Sequence, residues 1–274
     1  MKDFRDKVAV VTGGGSGIGL GIARALAREG AHVVVADLDE GAAKHAADEL
    51  RGAGVRSLAV ATDVRRSESV EALAAAVKQE MGGVDLLFNN AGVYLGGPMR
   101  RATEDDWRFV LDVNLDGVFR VGQTFTKLLL EQGRGGYIVN TASVGGFLSY
   151  GEGVAYTVSK YGVVAYSEAL RVDLEPEGIG VSTLCPGPID TNLPASDRIR
   201  SAAERAGGFS EALAPLTRGG MKPDQIGPIV LAGIRHQLPY IFTHDDFREA
   251  FEKRFETVLA CFDRIGESYA RTQP

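Results

Sequence analysis

The chain has 274 residues, a formal net charge of −6, 45% apolar and 24% charged residues. This is the balance of a globular protein with enough chain to bury a large core. Lys and Arg are scattered, which argues against a nucleic-acid partner, and no apolar run nears the ~18 residues of a membrane span.

In chain order, short apolar runs alternate with helical patterns. Lys7–Val11 reads as a buried strand, followed by a Gly-rich turn and a helix over Ile18–Glu29 that ends at Gly30. His32–Ala36 is the second strand, Ala42–Arg51 a helix and Ser57–Ala61 the third strand. Ser67–Met81 is helical, with Glu68 and Glu71 in its first turn, where the helix dipole favours carboxylates. Asp85–Asn89 is the fourth strand. Thr103–Leu130 is a long helical region with Thr103 as its N-cap. Gly136–Thr141 is the fifth strand, Gly153–Leu174 a helix, Ile179–Leu184 the sixth strand and Tyr240–Phe242 the seventh.

Strands rich in Val, Ile and Leu on both faces, separated by helices, predict a parallel sheet covered on both sides. The expected fold is a single-domain, Rossmann-like, doubly wound α/β protein spanning residues 1–274. Ligands bind such folds at the carboxyl ends of the strands. Residues 192–222 form a long irregular stretch with paired glycines, read as a substrate lid. From His244 to Ile265, apolar residues recur at helical spacing. This C-terminal amphipathic helix is expected to pack on the core, to meet a second subunit or to wall the active site.

The N-terminus, MKDFRDKVAVVTGGG, lacks the apolar core of a secretory signal. Cys185 and Cys261 lie far apart, and His32, His45, His236 and His244 are isolated from one another. Neither set suggests a disulfide framework or a metal site, so a cytoplasmic protein without a metal is expected.

Thr12–Gly19 reads TGGGSGIG, between a strand and a helix, where a pyrophosphate can meet exposed N–H groups. It is neither a Walker A loop nor GxGxxG; its glycines, Gly13, Gly17 and Gly19, are spaced GxxxGxG. Ser16 and Ile18 complete the candidate phosphate turn. Asp37 ends the second strand, where a carboxylate accepts hydrogen bonds from ribose hydroxyls and repels a 2′-phosphate. Neither Leu38 nor Ser16 supplies a compensating cation. The expected cofactor is therefore NAD, with NADP disfavoured by Asp37.

Taken together, these motifs resemble the short-chain dehydrogenase/reductase family over about residues 5–191. TGGGSGIG is similar to that family's TGxxxGxG turn, and Asn89-Asn90-Ala91-Gly92 to its NNAG segment, with Asn90 bordering the cofactor. The resemblance implies that Asp63 and Val64 contact adenine. It implies a catalytic tetrad of Asn114, Ser143, Tyr156 and Lys160, and nicotinamide contacts from Ile189 and Thr191 in the segment that begins at Pro186. The sequence departs from the family near its end, where a Phe-rich helix replaces a Gly-Gly strand. That leaves a homodimer or a homotetramer as the expected assembly.

Tyr156 and Lys160 stand four residues apart, on one face of a helix. A tyrosine with its ordinary pKa of ~10 is a poor base near neutrality, and Lys160 is expected to lower it with the help of the nicotinamide charge. Ser143 is expected to hydrogen-bond the substrate oxygen, and Asn114 to hold a water that links Lys160 to solvent. Tyr94, Phe147, Tyr150 and Leu193, with Ser143, are the candidate substrate wall, apolar and aromatic. These residues predict an NAD-dependent oxidoreductase that interconverts a hydrophobic or aromatic secondary alcohol and its ketone. The MKDF start, the ASVGGF stretch and the C-terminal helix also resemble relatives that oxidise benzylic alcohols of lignin-derived aryl ethers. Two alternatives stay open: a 3-ketoacyl-thioester reductase, against which Asp37 argues, and a non-catalytic NAD-sensing regulator, which has no need of Tyr156 or Lys160.

Overall fold

The computed structural model describes residues 1–149, 151–199 and 217–272. Seven strands form one parallel sheet: β1 (Val8–Thr12), β2 (His32–Asp37), β3 (Ser57–Ala61), β4 (Leu86–Asn89), β5 (Gly136–Thr141), β6 (Ile179–Cys185) and β7 (Tyr240–Phe242). Their order is β3-β2-β1-β4-β5-β6-β7. The chain winds outward from β1 to β3, then crosses back to β4 and winds the other way. This reversal opens a crevice between the carboxyl ends of β1 and β4, where such sheets bind ligands.

The central strands are covered on both faces; every residue of β1 and of β4 is buried. One apolar layer joins sheet residues such as Ala9, Val11, Val33 and Phe88 to the helices α1 (Gly17–Arg28) and α2 (Glu40–Gly52). The opposite layer joins Val10, Leu87 and Ile138 to α3 (Ser67–Ala76), α4 (Glu104–Leu111) and α5 (Gly117–Gln132). The helix α6 (Val154–Leu174) runs past β6 and carries the Tyr156–Lys160 pair. The doubly wound architecture expected from the sequence is present.

The long helical region after Thr103 is real but interrupted. Thr103 caps α4 through a reciprocal pair of hydrogen bonds with Asp106. Between α4 and α5, Asp112–Asp116 form a wider π turn, and Asn114 lies in it. Such turns reset the direction of side chains within a helix and occur often at functional sites.

The helix α7 (Pro223–Arg235) packs backbone to backbone on α1. A Cβ on Gly21 would overlap the Pro223 carbonyl, and one on Gly227 would overlap Ala25. Only glycine permits this approach. The C-terminal helix α8 covers Arg248–Thr272, later in start and longer than the predicted 244–265. Its start is displaced because residues 243–247 fold over the turn after β6; Thr243 accepts a hydrogen bond from Gly187 N and pairs with His244.

Candidate active site

A cavity of about 840 Å³ runs along the crevice from Asp37 to Tyr156. At one end, Gly13, Ser16, Gly17 and Ile18 line it. Gly13 and Gly17 adopt left-handed backbone, with φ of +62° and +52°, which a side chain would strain. Gly19 lies behind this turn, packed on the Gly13 carbonyl, and is not part of the lining. Ser16 is the N-cap of α1 but makes no side-chain capping bond, and the first turn holds no acid. The positive end of the α1 dipole therefore faces the cavity uncompensated, which suits a pyrophosphate.

Asp37 stands at the end of β2, where Oδ2 accepts from Gly15 N (2.9 Å) and Oδ1 from Asp39 N (3.0 Å). Both bonds fix the carboxylate at the cavity wall. Asp63, Val64 and Arg65 line the same end. Burial pushes the Asp63 carboxyl up, but bidentate bonds from Arg65 outweigh this and hold it below the usual carboxylate range. Asn90 is anchored by donating to Thr12 O (3.0 Å), while its own N–H donates to Thr12 Oγ1 (2.9 Å), so β1 and β4 are clamped together at the crevice.

At the other end, Ser143, Tyr156 and Lys160 converge, with Ile189, Thr191 and Leu193 completing the wall. Ser143 accepts from Gly145 N (3.0 Å) at the turn after β5. Lys160 is buried; its Nζ donates to Thr141 O (2.9 Å) and lies 5.5 Å from the centre of the Tyr156 ring. Tyr94 meets Tyr156 edge to face at 5.0 Å.

Burial pushes the Tyr156 phenol up to about 12, with Ser143 opposing the rise and Tyr94 adding to it; the lowering expected from Lys160 together with the nicotinamide charge has to overcome this. Burial likewise pushes the Lys160 ammonium down to about 8. Desolvation disfavours both charges, and the ammonium points at a carbonyl oxygen rather than at the phenol oxygen.

Two candidates, Asn114 and Phe147, do not line the cavity. Asn114 is fully buried behind the cavity wall: Oδ1 accepts from Val93 N (2.8 Å), and Nδ2 donates to Val93 O (2.9 Å) and Ser159 Oγ (3.1 Å). Its amide thus braces the segment after β4 against α6. Phe147 faces away from the cavity, into a cluster with Tyr240, Phe242 and Phe251 at ring separations of 5.6, 6.0 and 5.1 Å. Tyr150, and residues 200–216 of the expected lid, lie outside the described residues.

The sequence reading missed Arg65, Glu152 and Ser196, which line the cavity, as does Phe247 of the C-terminal stretch for which an active-site wall was one expectation. Ser196 is buried; its hydroxyl accepts from Tyr94 N (3.0 Å) and donates to Leu193 O (2.5 Å). It ties the start of the irregular stretch to the substrate end of the cavity. Among the described residues no cluster of potential metal ligands occurs, and no helix is long and apolar enough to cross a membrane.

A doubly wound sheet whose crevice joins a glycine-rich turn to a tyrosine–lysine pair defines a class of nicotinamide-dependent oxidoreductases. The short chain dehydrogenase family model matches residues 7–201, and the chain belongs to the short-chain dehydrogenase/reductase family. It is 34% identical over 266 residues to a C alpha-dehydrogenase of Sphingobium sp., covering 94% of this chain and 87% of that one. It is 34% identical to a 1-deoxy-11-beta-hydroxypentalenate dehydrogenase of Streptomyces exfoliatus, covering 93% and 89% of the two chains. A short chain dehydrogenase/reductase of Burkholderia phymatum, solved in complex with NAD, superposes with a TM-score of 0.91 at 36% identity, covering 95% and 96%. Like its family, the chain is an oxidoreductase that acts on hydroxyl or carbonyl groups with a nicotinamide cofactor.

Proposed function

We propose that this enzyme uses NAD(H) to interconvert a hydrophobic or aromatic secondary alcohol and its ketone, with Tyr156 as the acid–base. One observation carries the reading: Tyr156, Lys160 and Ser143 share a cavity whose opposite end is closed by the fixed carboxylate of Asp37. The glycine turn and the bare N-terminus of α1 fit a pyrophosphate between these ends. Asp63, Val64 and Asn90 border the adenosine half of the cofactor, and Ile189 and Thr191 its nicotinamide.

When bound, the nicotinamide ring supplies the acceptor for the hydride that leaves the carbinol carbon. Tyr156 Oη takes the hydroxyl proton as that carbon becomes a carbonyl. Ser143 Oγ donates to the substrate oxygen, where charge develops. Lys160 holds a positive charge under the Tyr156 ring and lowers the cost of the phenolate. Asn114 positions rather than reacts: it ties the Val93 backbone to Ser159, which stands between Tyr156 and Lys160 in α6. In the reductive direction the same atoms return the proton.

The aromatic and aliphatic character of Tyr94, Leu193 and Phe247 supports a hydrophobic substrate. Similarity to a C alpha-dehydrogenase and to a hydroxypentalenate dehydrogenase supports an alcohol donor. Residues 192–222 serve as the lid over this end. We place the enzyme in the cytoplasm as a homo-oligomer, consistent with two free cysteines. A screen of secondary alcohols, read by NADH absorbance with NAD and NADP in parallel, tests the proposal. Turnover confined to sugars, or to NADP, overturns it.

A further inference from the structure

The apolar residues of α8 follow a stricter rule than helical amphipathicity. Phe251, Phe255, Val258, Phe262, Ile265 and Tyr269 are spaced alternately four and three residues apart. A helix lying on its own globular core needs a wider stripe; this narrow seam is the a/d pattern of a helix paired with another helix. Among the described residues, the start of the seam reaches the body of the protein, where Phe251 packs on Phe147 and Phe242 at 5.1 and 5.4 Å. Beyond it, Phe255 and Val258 are 47% and 44% exposed, and Phe262 and Ile265 are 72% and 63% exposed.

We propose that α8 pairs antiparallel with α8 of a second copy of this chain. One register satisfies every rung. With the two-fold axis beside Ala260, Phe251 faces the position of Tyr269 in the partner, Phe255 that of Ile265, and Val258 that of Phe262. Each of the two inner rungs matches one aromatic ring with one aliphatic side chain, so volumes stay even along the seam. Leu259, 62% exposed, and Cys261, also exposed, flank the axis, which brings the two copies of Cys261 close to each other. No charged residue stands at the axis.

The size fits. Aromatic side chains bury ~150–250 Å² each, so this seam reaches several hundred Å² per copy, near the ~800 Å² per partner of specific interfaces. A lipid surface fits less well. The flanking residues Glu252, Lys253, Arg254, Glu256, Asp263 and Arg264 carry both signs equally, whereas helices that lie on membranes present a basic polar face.

The test uses the native thiols of the full-length protein. Cys185 is buried and Cys261 is exposed, so a short bismaleimide reports on Cys261. The wild type is expected to cross-link into a species of twice the chain mass, and Cys261→Ser to abolish it. Phe262→Glu with Ile265→Glu is expected to halve the particle mass in sedimentation and to remove the cross-link, with the melting temperature kept. Should the double variant fail to fold, Ile265→Ser is read by the same cross-link and is expected to weaken it. Absence of a cross-link when Cys261 titrates as a reactive thiol overturns the proposal. So does an unchanged particle mass in the folded double variant, or binding to anionic phosphatidylserine vesicles without a change in mass.

Discussion

The ammonium of Lys160 donates to the carbonyl of Thr141 at 2.9 Å while standing 5.5 Å from the ring centre of Tyr156. The lysine is therefore held by β5, not by the tyrosine. Burial is the main cause of the shift of each group, raising the phenol and lowering the ammonium.

Lys160 gives a pH-dependent test in the cofactor-free protein. Its folded pKa of about 8 lies below the ordinary value of 10.5. Between these values the unfolded chain binds more protons, so stability rises with pH. Below pH 8 both states are protonated and the burial penalty is complete. Lys160→Met removes the penalty, on the order of 3 kcal/mol at ~1.4 kcal/mol per pKa unit. Urea unfolding is expected to show the variant gaining most, relative to wild type, near pH 7. The difference shrinks from pH 8 to pH 10. A difference independent of pH would show that Lys160 titrates normally.

Tyr156→Phe removes the proposed acid–base and leaves the shape of the pocket. kcat/KM is expected to fall by roughly 10²–10⁴-fold, the usual contribution of a positioned proton-transfer group. Cofactor affinity, measured by quenching of protein fluorescence, is expected to change little. Retained turnover would move the proton-transfer role to another residue.

Asp37→Ala deletes the fixed carboxylate at the ribose end. Removing a charge that stands against a 2′-phosphate is worth ~1–4 kcal/mol at contact distance. The ratio of kcat/KM for NADP to that for NAD is expected to rise by about fivefold or more. Because Asp37 also accepts from Gly15 and Asp39, the activity with NAD is expected to fall as well. Parallel initial-rate measurements with both cofactors decide the matter.

Phe147 and Phe247 separate packing from recognition. Phe147→Ala opens the cluster with Tyr240, Phe242 and Phe251, so a lower melting temperature is expected with KM for the alcohol nearly unchanged. Phe247→Ala enlarges the cavity wall, so the substrate KM is expected to rise with little loss of stability. The reverse pattern would restore Phe147 to the substrate wall.

Much of the fold was legible because its signals are local. Strand runs such as HVVVA and the cap at Thr103 depend on neighbours within a few residues. The convergence of Asp37 and Ser143 on one cavity followed from their positions at strand ends, since all such ends open on one edge of a parallel sheet, and Tyr156 joins them from the helix that follows β5. What escaped the sequence depends on direction. A π turn and an α turn draw on the same residue types, so the reset at Asp112–Asp116, which contains Asn114, left no signature. The facing of Phe147 depends on β7 and α8, about 100 residues later. The rise of the Tyr156 pKa depends on how much water the finished fold excludes, which spacing does not encode.

The contact of α1 with α7 at Gly21 and Gly227 restricts how this scaffold can be re-engineered. The helix that presents the phosphate turn is seated on the segment that immediately follows the irregular stretch. A chimaera that imports another relative's loop must therefore carry over the bare backbone at both crossing points. Otherwise a change intended for one end of the ligand is transmitted as a tilt at the other, and selectivity for the alcohol cannot be tuned independently of grip on the dinucleotide.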